Sequence, residues 1–149
     1  MPRLILFAPC ERVIFGFGDM SASLIIIIQE LQIQKGVQQN APAPLVLHHF
    51  SVFSQWNKLP DDEGKTFEQR IAMALGNEKP VLENISVVQM TAARLHRTVV
   101  TFQAFPTLKA GEYDLTLSLR VQGESHWPEP IAIYPIYVKQ VPELQTQVH

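Results

Sequence analysis

Strict two-residue alternation is the feature that most constrains this chain. From Tyr113 to Arg120, the apolar residues Tyr113, Leu115, Leu117 and Leu119 alternate with Asp114, Thr116, Ser118 and Arg120. Successive side chains of an extended backbone point to opposite faces, so the run reads as a strand with one buried and one wet face. Residues 67–75 repeat the pattern: Phe67, Ile71, Met73 and Leu75 alternate with Glu68, Arg70, Ala72 and Ala74, and Gln69 is the one departure. Further strands are expected at 4–7 with an extension to 14, and at 21–33, 45–56, 85–90, 95–105 and 131–138. There β-branched and aromatic runs are bounded by turn formers such as Gly16, Gly18 and Asp19, Pro42 and Pro44, Pro60 to Gly64, Gly76 to Pro80, Gly123, Pro128 and Pro130. A helical period extends over no more than one turn, within 59–71. Many short strands joined by turns define an all-β fold, expected as an antiparallel β-sandwich of about eight strands.

A chain of 149 residues has room for one core of ordinary size. Residues 1–141 are read as a single sandwich domain and 142–149 as a loose polar C-terminal tail. With 46% hydrophobic and 17% charged residues, the chain belongs with globular proteins and not with disordered or collagen-like ones. Twelve basic against fourteen acidic residues leave a net charge of −2, which supplies no positive field to attract nucleic acid or anionic lipid. The apolar run from Leu24 to Ile28 falls far short of the roughly 20 residues of a spanning helix, so neither nucleic acid nor a membrane is expected as a partner. Its four consecutive isoleucines, branched at Cβ, favour the extended chain. The lone cysteine, Cys10, has no internal disulfide partner, and the N-terminus lacks a signal-peptide pattern. Both point to the cytoplasm.

The segment Leu108-Lys109-Ala110-Gly111-Glu112-Tyr113 resembles the tyrosine corner of immunoglobulin-like sandwiches. That resemblance implies an immunoglobulin-like fold in which Leu108 fills the end of the core, Gly111 permits the turn and the Tyr113 hydroxyl bonds back to the backbone. These are structural roles and say nothing of activity. Phe7-Ala8-Pro9-Cys10-Glu11-Arg12-Val13, a glycine-containing turn, and Ser21-Ala22-Ser23-Leu24-Ile25 are similar to the opening hairpin of a family of uncharacterised bacterial β-sandwich proteins. Members of that family also end in an Ala-Gly-x-Tyr strand, here Ala110-Gly111-Glu112-Tyr113. The resemblance implies a small bacterial sandwich and brings no catalytic motif. This chain departs from it in the apolar turn Phe15-Gly16-Phe17.

Motifs that would carry chemistry are weak. Gly16-Phe17-Gly18 opens like a dinucleotide fingerprint, but a strand follows where a phosphate-binding helix is required. Adjacent strand residues face opposite ways, so His48 and His49 do not chelate one metal together; His49 could still meet a distant His96 or His126 across strands, but no Cys or Glu stands at diagnostic spacing. Cys10 lies beside apolar residues and reads as a small buried hydrophobe. Asp61-Asp62-Glu63 is a contiguous acidic loop without the alternating ligands of a calcium loop or the opposed carboxylates of a glycosidase. Asn84-Ile85-Ser86 fits a glycosylation sequon, which carries meaning only with secretion. No cofactor, no metal and no catalytic residues are expected.

Two surfaces merit attention. Among Trp56, Trp127, Tyr134 and Tyr137, only Trp127 stands in a loop, beside His126 and Pro128, so Trp127, His126 and Tyr134 form the candidate ligand-binding set. The second surface follows from missing charge. Between Val13 and Asn57 only Asp19, Glu30 and Lys35 are charged, three of 45 residues. The strands at 21–33 and 45–56 are thus apolar on both faces, and a strand of that kind needs a second cover. Ile25, Ile27, Phe50 and Val52 are the candidate interface residues for a homo-oligomer or a protein partner. The expected function is a non-catalytic binding or assembly module; the alternatives are a carbohydrate-binding module using exposed aromatics and a hydrolase with an unrecognised site.

Overall fold

The alternating run at 113–120 lies within a long strand whose inward residues Tyr113, Leu115, Leu117 and Leu119 are all at most 1% exposed. A computed structural model of the chain describes residues 1–16, 21–34, 49–103 and 109–141. Among the described residues the strands are β1 (Arg3–Phe15), β2 (Ala22–Ile27), β3 (Glu30–Gln34), β4 (Phe50–Asn57), β5 (Thr66–Leu75), β6 (Leu82–Gln89), β7 (Leu95–Phe102), β8 (Gly111–Val121) and β9 (Ala132–Val141). They build a four-stranded sheet, β2-β1-β4-β7, and a five-stranded sheet, β3-β9-β8-β5-β6. One hydrophobic cluster joins Phe50, Val52 and Trp56 of the first sheet to Phe67, Ile71, Met73 and Leu115 of the second. The protein is therefore an all-β, two-sheet fold. Its only helical turn among the described residues is Pro60–Asp62, where the buried Asp62 carboxylate accepts the Leu59 amide at 3.0 Å.

Two features differ from the sequence expectation. The run at 21–33 is two strands in different sheets. Ile28 still donates its amide to Pro9 of β1 at 3.0 Å, whereas the next carbonyl, Gln29, accepts the amide of Tyr137 in β9 at 2.9 Å. The chain crosses from one sheet to the other within one peptide unit, just after Ile26 adopts a φ of 52°. Alternation carries no record of which neighbour a strand pairs with, so the switch is invisible to it. Second, β3 runs parallel to β9, so the fold is not antiparallel throughout. The first strand extends over Arg3–Phe15, in keeping with the expected extension to 14, with a register irregularity between Leu4 and Leu6. Gly16 closes the β1–β2 hairpin by donating to the Ser21 carbonyl at 2.8 Å; Phe17, Gly18 and Asp19 lie outside the described residues, as do 45–48, Leu108 and the tail at 142–149.

The interface expectation at Phe50 and Val52 is corrected. They are 1% and 0% exposed and face the five-stranded sheet. The register of β1 on β4 sets Ala8 opposite Phe53 and Cys10 opposite Ser51 on the other face of the sheet, and all four are buried as well. Residues on both faces of β4 are thus buried within the single chain. Ile25 is half-buried, and Ile27 remains 50% exposed.

A polar bridge ties the sheets together. Gln69, the departure from alternation in β5, points inward and is fully buried. Its Oε1 accepts the Trp56 indole Nε1–H at 3.0 Å and the Ser54 hydroxyl at 2.7 Å, and its Nε2 donates to Thr98 at 3.0 Å. A buried amide is tolerated only when its donors and acceptors are met, and strands β4 and β7 meet them. At the start of β8 the buried Tyr113 hydroxyl donates to the Lys109 carbonyl at 2.9 Å. Gly111 holds a φ of 153°, and a Cβ there would stand 2.9 Å from the Leu75 side chain.

Candidate functional site

The crossover that splits 21–33 also opens the molecule's surface. Between β2 and β3 lies a cleft of about 480 Å³ whose buried walls are Leu31 and Phe50 and whose mouth carries Glu11, Ile26, Glu30 and His49. Two adjoining depressions share Glu30 with it. One, of about 370 Å³, is lined by Glu112, Tyr137, Val138 and Lys139; the other, of about 350 Å³, by Gln29, Tyr134, Pro135 and Tyr137. Glu30 thus lines all three depressions, which gather as a groove around the edge strand β3. Gln32, two residues on and on the same side of β3, donates to the Glu30 carboxylate at 3.3 Å. Each of the three volumes falls in the range of ligand sites, and an apolar floor beneath a few polar groups is their usual composition.

Ile26 is the anomaly of this groove. A β-branched residue at positive φ brings Cβ against the carbonyl oxygen, at a cost of about 1–3 kcal/mol. Ile26 is the one non-glycine residue at positive φ among the described residues. It is also 65% exposed. The turn that moves the chain between sheets therefore holds an isoleucine side chain out in water at the mouth of the cleft.

The expected ligand set is not assembled in one place. Trp127 lies half-buried on the outer face of the five-stranded sheet, its ring centroid 4.0 Å from the Arg120 guanidinium and 5.9 Å from that of Arg70. The arginines are themselves paired, Arg120 with Glu68 at 2.6 Å and Arg70 with Glu83 at 2.7 Å. A tryptophan in a loop either waits for a partner or folds back; this one folds back onto a cation within the chain. His126 is exposed and shares a hydrogen bond with Ser125 at 2.7 Å. Tyr134, which packs against the core, is the one member of the set that lines the groove.

The remaining chemical candidates also fall apart in space. Trp56 is enclosed in the core. The His96 ring sits 2.9 Å from the Ala93 carbonyl, while His49 is at the cleft and His48 lies outside the described residues. Cys10 is buried, and its thiol contacts the Ser51 carbonyl; burial raises the thiol above its ordinary value, which suppresses thiolate chemistry. Among the described residues no three His, Cys, Asp or Glu side chains come together as a metal would require. Asn84 of the sequon lies on β6 with its Oδ1 buried.

Glu30, Glu11 and Ile26 were missed because they lie far apart from Tyr134 and Tyr137 in sequence. One signal was present: Glu30 is a carboxylate that interrupts the longest charge-poor stretch of the chain. No protein-family model and no curated protein matches the sequence.

Proposed function

We propose that the protein is a non-catalytic binding module, an immunoglobulin-like sandwich that holds a protein partner in the groove around Glu30. Ile26 carries the reading. Its backbone is strained and its side chain is 65% exposed at the mouth of the cleft. Strain that fixes an apolar group in water lowers the stability of the isolated chain, and burial of that group by a partner offsets the cost. Residues lining the groove offer carboxylates, tyrosines, His49, Lys139 and aliphatic surface, a composition that suits recognition of a protein partner.

The immunoglobulin-like assignment is supported by the β3-β9-β8-β5-β6 order with its parallel β3–β9 pair, and by the Tyr113 bond to Lys109. It agrees with the resemblance of both ends of the chain to the uncharacterised bacterial sandwich family. A cytoplasmic setting is supported by the lone unpaired thiol.

A photoreactive benzophenone side chain at position 26 tests the reading, with the same group at the exposed Asn77 as control. Irradiation in the source cell is expected to give a protein adduct of defined mass from position 26 alone. No adduct from 26, or the same adducts from both positions, overturns the proposal. A second reading rests on Tyr137, an exposed aromatic beside Glu30 and Gln29 that suits a sugar ring. Titration of a neutral glycan panel that gives saturable binding, lost in Tyr137→Ala, would favour it over a protein partner.

A further inference from the structure

Strand β6 ends the five-stranded sheet, and among the described residues no strand pairs with its outer edge. Open backbone groups at such an edge template pairing with another chain, and soluble monomers blunt their edges with lysine, proline, bulges or shortness. β6 carries none of these. Its eight residues pair with β5 without a register break, and its sequence, Leu-Glu-Asn-Ile-Ser-Val-Val-Gln, has neither lysine nor proline. Its one charge, Glu83, is held by Arg70 of β5 at 2.7 Å. On the outward face Ile85 and Val87 are 48% and 58% exposed.

The strand is complementary to itself. If two copies of β6 pair antiparallel about Ser86, Ile85 meets the second copy's Val87, and Glu83 meets the second copy's Gln89. Side chains directly opposite in an antiparallel pair point to the same face, so apolar residues cover apolar ones and the carboxylate faces an amide donor, not another carboxylate. Shifting the pair by two residues in either direction breaks this match: centred on Ile85 it sets Glu83 against Val87, and centred on Val87 it sets Ile85 against Gln89. We infer that the protein forms a two-fold dimer through β6, with Ser86 on the axis and the two five-stranded sheets joined into one. This surface is separate from the groove around Glu30 and holds whether or not the groove binds a protein.

Light scattering behind size exclusion tests it on the full chain. The expected mass at micromolar concentration is twice the 16.9 kDa of one chain. Val87→Lys places a charge opposite Ile85 on the exposed face and is expected to give the single-chain mass with an unchanged circular dichroism spectrum. A monomeric wild-type protein, or a dimer that Val87→Lys leaves intact, overturns the inference. Hydrogen exchange on the unmutated protein gives an independent reading should the variant fail to fold. Amides of Leu82–Gln89 are expected to exchange more slowly as concentration rises through the dimerisation range, and concentration-independent exchange overturns the inference.

Discussion

Gln69→Leu should be among the most damaging single substitutions in this protein, although it places an apolar residue in an apolar core. The two side chains are similar in size, so little cavity forms. Three polar groups lose their partner: the Trp56 indole N–H, the Ser54 hydroxyl and the Thr98 hydroxyl. Ser54 and Thr98 also bond one another, and that pair survives the change. The Trp56 N–H has no other acceptor in its hydrogen-bond set and is left buried and unmet, at about 1–3 kcal/mol. Loss of the two hydroxyl bonds adds about 1–2 kcal/mol, and the gain from burying leucine methylenes returns about 1 kcal/mol. The expected net loss is about 1–4 kcal/mol, centred at about 2.5 kcal/mol, the centre being equivalent to a fall in Tm of roughly 5–10 °C for a domain of this length. Urea denaturation followed by circular dichroism measures it. The cycle with Trp56→Phe isolates the mechanism, because removing donor and acceptor together should cost about 1–2 kcal/mol less than the sum of the single changes. A loss below about 0.5 kcal/mol for Gln69→Leu, or strict additivity in the cycle, would refute the account of the buried amide as a bridge between the sheets.

Tyr113→Phe deletes the hydroxyl that bonds the Lys109 carbonyl and is expected to cost about 0.5–1.5 kcal/mol by chemical denaturation. Gly111→Val should cost more, since the φ of 153° is strained for valine and its Cβ would meet Leu75 at 2.9 Å. Burial raises the Tyr113 phenol above its ordinary 10.0, and the charge of Glu78 adds to the shift. The folded state then holds that proton more tightly than the unfolded state, so the contribution is complete below about pH 10 and is lost as pH rises above it. A stability profile from pH 8 to 11 should fall at its alkaline end, and Tyr113→Phe should flatten that fall. Trp127→Ala removes the ring from Arg120 and should lower stability by about 1 kcal/mol; an unchanged denaturation midpoint would show the stacking to be energetically empty.

The sequence by itself determined that the chain is built of strands, and which side is buried in the strands that alternate. Alternation at Tyr113–Leu119 and Phe67–Leu75 is a local consequence of the two-residue repeat of extended backbone, and it forced the all-β reading before any contact was known. Gln69 was visible as an exception to that repeat, but its meaning was not, because the acceptor and donors it meets come from strands β4 and β7. Tertiary structure alone decided the rest. The isoleucine run Ile25–Ile28 is equally suited to one long strand or to a strand that ends, turns at Ile26 and hands the chain to the opposite sheet. The choice depends on whether Pro9 or Tyr137 supplies the next backbone hydrogen bond. The groove around Glu30 exists only because of that choice, since it gathers Glu11, Glu30 and Tyr137 from strands β1, β3 and β9. Pairing in a sheet is a long-range property: backbone groups are chemically the same at every residue, so side-chain order fixes which face is buried and leaves the choice of neighbour to the packing of the whole chain.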